Sequence, residues 1–199
     1  MAKTSHFERL ARHYDFLTKI LMMGTYGRVR KKIVSTPPVK SALDLCCGTG
    51  YVTGHINSKT VVALDLSHGM LRVNRDKNRD QKQVKYVVGD AFALPFPDRS
   101  FDAVYNTLAA HEFKNFSKIL SEVHRVLKTK GEFVLYDFSL PQNILLRYTY
   151  LPFLKHIVEL GTFFVSDKEA WEKVLKEAGF KDIKFETLYW ASILIRARK

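Results

Sequence analysis

The chain reads as an α/β protein with a Rossmann-like, doubly wound and mostly parallel sheet, a C-terminal antiparallel strand pair and an N-terminal helical appendage. Three observations lead there. Short apolar runs bounded by turn residues recur at 41–46, 61–64, 84–88, 101–105 and 132–136. Helical stretches at 50–57, 67–79 and 115–127 lie between most of them, and strands alternating with helices build parallel sheets covered on both faces. The last two runs, 183–188 and 191–196, are separated by little more than Tyr189 and Trp190, which is too short for a crossover helix, so they should pair antiparallel.

In chain order, Ser5-His6-Phe7-Glu8 has capping-box spacing, and Leu10, Tyr14, Leu17 and Leu21 follow on one face of a helix expected over 5–23. Gly24 and Gly27 loosen it, a second short helix should cover 28–34, and Pro37-Pro38 ends the appendage. On the helix expected over 115–127, Phe116, Ile119, Leu120, Val123 and Leu127 share a face. Ser166-Asp167-Lys168-Glu169 opens a final helix that should run to Gly179. The expected organisation is one domain over 1–199: a helical cover (1–38) and a core (41–199) that contains a variable substrate cover (140–165).

The composition excludes several classes. With 46% hydrophobic and 26% charged residues the 199-residue chain can bury a core, unlike a disordered scaffold. Its two cysteines, Cys46 and Cys47, are adjacent and cannot form a disulfide framework. No signal-peptide pattern and no run of ~18 uncharged apolar residues occurs, so the expectation is a cytosolic protein without a membrane span. A net charge of +12 favours anionic partners and leaves nucleic acid, anionic membrane and phosphorylated ligands all open. The basic residues between Arg72 and Lys85 read as a solvated helix face.

The chemistry concentrates where Leu43-Asp44-Leu45-Cys46-Cys47-Gly48-Thr49-Gly50 runs from a strand into a Gly-rich turn. Glycines let a ligand touch bare backbone, and a following helix N-terminus would add N–H donors; a plain tight connection is the alternative. Asp65 closes the second strand about 20 positions after Asp44, where this fold offers a carboxylate to a ribose; it could also cap the helix at 67. Asp90 follows the third strand. Three acids at three successive strand ends surround one crevice.

These residues, with Gly89-Asp90-Ala91 and the stretch Leu94-Pro95-Phe96-Pro97-Asp98-Arg99-Ser100-Phe101-Asp102, resemble class I S-adenosylmethionine-dependent methyltransferases. Ala11-Arg12-His13-Tyr14-Asp15, Arg125-Val126-Leu127-Lys128, Asp137-Phe138-Ser139 and Glu177-Ala178-Gly179-Phe180 extend the resemblance to the ubiquinone/menaquinone biosynthesis C-methyltransferase family. The resemblance implies S-adenosyl-L-methionine as cofactor. Gly48, Thr49 and Gly50 would hold its methionine part, with Asp44 and Cys46 of the same block, Asp65 its ribose, and Asp90 and Ala91 its adenine. Leu66 and Met70 would be adenine walls, Met70 being equally readable as core. Asn106 and Thr107 would line the methyl-transfer site.

The acceptor residues differ from that family's pattern. Its Arg-Asn pair after the fourth strand falls on His111-Glu112, its Met-Asn on Leu17-Thr18, and its Pro-Gly-Gly on Thr129-Lys130-Gly131. Methylating a quinol carbon needs a base. His111 is the candidate, with Glu112 orienting it or raising its pKa through opposite charge, and a helix-start residue of no catalytic role as the bland reading. Tyr14 and Asp15 would position the acceptor, or merely pack and solvate a helix. The stretch 144–164 suits an amphipathic cover for a hydrophobic quinol or a contact with anionic membrane, or core packing. The rivals are a methyltransferase acting on RNA or another small molecule, a nicotinamide-dependent oxidoreductase (disfavoured by Thr53 where its third glycine should stand), and a non-catalytic nucleotide-binding module. Nothing in the sequence fixes the oligomeric state.

Overall fold

The computed structural model describes residues 15–16, 25–139, 167–188 and 192–199. Seven strands form one sheet: β1 (Val39–Leu45), β2 (Ser58–Asp65), β3 (Val84–Val88), β4 (Phe101–Thr107), β5 (Leu127–Phe138), β6 (Lys181–Leu188) and β7 (Ser192–Arg198). Their order is β3-β2-β1-β4-β5-β7-β6. The pairs from β3 across to β5 are parallel, and β7 runs antiparallel to both β5 and β6. The terminal antiparallel pair is therefore as the sequence predicts.

The chain winds outward from β1 through β2 to β3, then returns to place β4 on the other side of β1. Connections leave β1 and β4 in opposite directions, which opens a crevice at the carboxyl ends of those two strands. The register sets Leu45 beside both Leu64 and Asn106, so residues 46–50 and 106–108 emerge together at that crevice.

The period-two alternation sorts side chains onto two cores. On one face Leu43, Leu45, Leu64, Val104, Phe133 and Leu135 pack with Ile119, Leu120 and Val123 of a helix at Phe116–Val126. Trp171 and Leu175, from a helix at Lys168–Glu177, join them. On the other face Ala42, Val61, Tyr105 and Val134 receive Val29 and Ile33 of α1 (Tyr26–Ile33). The Arg196 guanidinium donates to the Lys32 and Ile33 carbonyls, satisfying acceptors that the end of α1 leaves open. In chain order the further helices lying wholly among the described residues are α2 (His68–Lys77), α3 (Phe116–Val126) and α4 (Lys168–Glu177).

Two expectations are corrected. The helix expected over 50–57 is a series of turns ending in a single 3-10 turn, Thr53–His55. Gly48, Gly50 and Gly54 lower helix propensity there, and Gly48 and Gly50 adopt φ of +50° and +82°. No α-helix dipole thus points at the glycine loop from this link. β5 starts five residues before the expected 132, because α3 runs straight into it at Leu127 and a register shift between Phe101 and Ala103 absorbs the extra chain. Of the helix expected over 5–23, only Asp15 and Phe16 fall among the described residues, and both are helical. The stretch 144–164 and the Tyr189-Trp190 break lie outside them.

Leu120 is wholly buried between α3 and the sheet. Leu120→Ala should cost about 2–5 kcal/mol, seen as a lower urea midpoint with an unchanged m-value.

Candidate active site

The loop after β1 owes its shape to one carboxylate. The Gly48 amide donates to Asp65 Oδ2 (2.8 Å) and the Ser67 amide to Oδ1 (2.9 Å), tying the β1 and β2 loops together. Burial raises the Asp65 pKa, opposed by the amides of Ser67, Gly48 and Leu66. The helix at 68–77 is capped instead by Ser67, whose hydroxyl accepts the Met70 amide. With three amides accepted, the Asp65 carboxylate keeps one further lone pair for a ligand hydroxyl.

A cleft opens beside this loop, lined by Asp15, Cys46, Gly48, Thr49, Tyr51 and Thr107 among others. The two loop glycines differ in use. A Cβ at Gly48 would meet nothing within 4 Å, whereas one at Gly50 would fall 2.4 Å from Asn74 Oδ1. Gly48 therefore leaves room for a ligand, and Gly50 leaves room for Asn74, which differs from the expectation that both admit ligand. Cys46 stands half-buried with φ +55°. Burial, then the nearby carboxylates, push both the Cys46 and Cys47 thiols up, so neither is a ready nucleophile.

Asp44 is fully buried in β1, and its Oδ2 accepts the Thr53 hydroxyl at 2.5 Å. Burial pushes its pKa up to about 7, against the Thr53 hydrogen bond and with help from Asp65. On neighbouring β4, the buried Asn106 amide donates to the Leu45 carbonyl (3.0 Å). Asp44 Oδ1 and Asn106 Oδ1 have no hydrogen-bond partner among the described residues.

On the other flank, the 3-10 turn Ala110–Glu112 carries His111, which is 4% exposed. Its Nδ1 lies 2.6 Å from Asp137 Oδ1, and its backbone N–H donates to Asp137 Oδ2 (3.1 Å). The Phe138 amide also donates to Asp137 (2.7 Å), and the Phe138 ring stands edge-on to the imidazole. Because a carboxylate only accepts, Nδ1 carries the proton of this hydrogen bond. The orienting acid is thus Asp137 and not Glu112, whose Oε1 is 3.7 Å from Nε2. The sequence signal for Asp137 was a lone acid inside the apolar run Phe133-Val134-Leu135-Tyr136-Asp137-Phe138.

A family model described as a methyltransferase domain matches residues 43–135. The demethylmenaquinone methyltransferase of Staphylococcus epidermidis is 33% identical over 202 residues, covering 89% of this chain and 84% of that protein. The chain belongs to the class I S-adenosylmethionine-dependent methyltransferases. A crystal structure of a candidate methyltransferase from Bacillus halodurans matches it with a TM-score of 0.72 at 26% identity, covering 86% of this chain and 97% of that one. The Haemonchus contortus phosphoethanolamine N-methyltransferase 2, solved with S-adenosyl-L-methionine, shares the fold (TM-score 0.71, 18% identity, 88% of this chain and 52% of that one).

The methyltransferase's cofactor is S-adenosylmethionine, and the site suits it. The donor carries a sulfonium and an ammonium, which the acids Asp44 and Asp65 would suit, and Gly48 leaves open space in which an amino-acid part would fit. Asp90 is exposed at the rim with Oδ1 accepting the Phe92 amide (2.9 Å), and Ala91 beside it is buried. Leu66 and Met70 are separated: Leu66 is 55% exposed at the rim, Met70 only 3%. Phe92, 42% exposed and edge-on to Phe113, is a further apolar rim group that the sequence reading missed. Thr107 reaches the cleft, and Asn106 sits buried beside it. Asp15 does not stand free for an acceptor: its carboxylate accepts from Thr49 Oγ1 and from Lys77 Nζ, both at 2.6 Å. Tyr14 lies outside the described residues.

Because the folded-state pKa of Asp44 lies above the ordinary 3.8, the folded protein holds that proton more tightly than the unfolded chain. Its contribution to stability is greatest below ~4 and is lost as pH rises through ~7. Melts of the ligand-free methyltransferase should therefore fall between pH 5 and 8, and Asp44→Asn should flatten that fall by up to about 2.5 kcal/mol.

Proposed function

We propose that this methyltransferase C-methylates a reduced, demethylated quinone with an apolar tail, of the demethylmenaquinol type. The observation that carries the reading is the buried His111–Asp137 pair, because transfer to carbon, unlike transfer to an amine, requires a base. His111 stands three residues after Leu108, which lines the cleft with Thr107. The relative from Staphylococcus epidermidis named for this reaction supports the same acceptor.

S-adenosylmethionine supplies an electrophilic methyl group. Gly48 and Thr49 hold its amino-acid part, Asp65 its ribose hydroxyls, and Asp90, Ala91 and Leu66 its adenine. His111 takes the proton of a quinol hydroxyl, which raises electron density on the ring carbon next to it; that carbon would gain the methyl as the donor's S–CH3 bond breaks and lose its own hydrogen as a proton to solvent, and the imidazolium would return its proton to the ring oxygen. Asp137 accepts from Nδ1–H throughout and stabilises the imidazolium that forms. Thr107 and the buried flank of the cleft keep the reacting atoms aligned and poor in water, the main demand of an in-line displacement. The basic surface would bring the protein from the cytosol to an anionic membrane, where an apolar acceptor resides. No helix among the described residues is long and apolar enough to cross a membrane.

Incubation with methyl-labelled donor and a short-tailed reduced demethylmenaquinone in anionic vesicles should place label on the quinone ring, read by mass spectrometry. Efficient labelling of RNA or an amine, with none on the quinol, would overturn the acceptor. His111→Ala and Asp137→Asn should each lower kcat by at least ~100-fold while S-adenosylhomocysteine affinity changes less than about threefold.

A further inference from the structure

Under the glycine loop lies a buried polar chain that the methyl-transfer reading leaves unused. Asn74 is 0% exposed although it sits mid-helix on α2. Burying an amide there costs stability unless it is satisfied. Its Nδ2 donates to Thr53 Oγ1 (2.9 Å) and approaches Cys47 Sγ (3.3 Å) and the Gly48 carbonyl (3.5 Å). Its Oδ1 accepts from Asn78 Nδ2 (2.9 Å). The glycines across from it are shaped for this arrangement: a Cβ at Gly50 would strike Asn74, and one at Gly54 would fall 2.0 Å from Asn78 Oδ1. With no helix between β1 and β2 to brace the loop from its own end, α2 braces it from the side.

The chain of donors has one direction. Thr53 has a single hydroxyl proton. Since Oγ1 already accepts from Asn74, that proton goes to Asp44 Oδ2, 2.5 Å away. A hydrogen bond given to a carboxylate favours its charged form.

We propose that Asn74 is a positioning residue for the methyl donor: by committing the Thr53 hydroxyl proton to Asp44, it keeps a negative charge beneath the loop that receives the cationic cofactor. The other titratable groups acting on Asp44 are Asp65 at the end of β2, Cys46 and Cys47 in the loop, and Tyr105 on β4. The two thiols and the phenol have raised pKa values and stay neutral, while Asp65 opposes ionisation of Asp44. The Thr53 proton is the favourable influence among these, and Asn74 directs it. This rests on the glycine loop and Asp65 being the cofactor seat, so Asp65→Ala is the control.

Calorimetric binding of S-adenosylhomocysteine, which keeps the ammonium, would be followed from pH 5.5 to 8.5. Wild-type affinity should rise as pH passes ~7, the value to which Asp44 is raised. Asn74→Ala should bind roughly tenfold more weakly at pH 7, with its midpoint moved up by about 1.3 units, so that the deficit narrows towards pH 8.5. Thr53→Val should reproduce this, the double variant should add little, and Thr53→Ser should restore wild-type behaviour. Thermal melts of each variant identify any that fail to fold, and Thr53→Ser keeps the test valid if Asn74→Ala is one of them. A deficit equal at every pH, or no deficit, overturns the role of Asn74 while Asp65→Ala still weakens binding. Unchanged binding in Asp65→Ala would instead overturn the seat itself.

Discussion

The two amide hydrogen bonds received by Asp65 are the constraint on which the rim depends. The sheet order brings the ends of β1 and β2 side by side, but it does not decide how the chain leaves them. One carboxylate taking the N–H of Gly48 and of Ser67 fixes both departures at once, and burial strengthens the bonds by excluding water. The left-handed backbone at Cys46, Gly48 and Gly50 follows from this turn. So does the open face of Gly48, which a residue with a side chain would fill.

From that rim the functional groups divide by strand. β1 and β2 carry the acids that suit a cationic donor, Asp44 behind the loop and Asp65 at its edge. β4, the 3-10 turn after it and β5 carry Thr107, His111 and Asp137 in turn, the groups to which the proposal gives the acceptor and its proton. The switch point between β1 and β4 is where the halves meet, so donor and acceptor groups are brought together by topology and by no single loop. The same sheet gives the domain its stability, through cores on both faces.

The ends of β1, β2 and β3 were legible in the sequence because acids and glycines interrupt short apolar runs there, and the antiparallel pair because the break at Tyr189-Trp190 is too short for a crossover. Glu112 is next to His111 in sequence and therefore looked like its partner. The bond is made by Asp137, 26 residues away, and only the pairing of β4 with β5 brings it there. Asn74 was hidden in the same way: within α2 it looks like a weak helix former, and its partner Thr53 is 21 residues off. The failed helix over 50–57 has a local cause, since glycines that serve close packing against Asn74 and Asn78 also remove the helix.

The account stands on a cofactor seat at the β1–β4 switch point. Titration of the 15N-labelled protein, followed through the Gly48 and Thr49 amides and the Asn106 side-chain amide, tests it most directly. S-adenosylhomocysteine should shift these three signals with one common saturation curve, and NADH should leave them in place. Shifts confined to other parts of the chain, or a response to NADH alone, would contradict it.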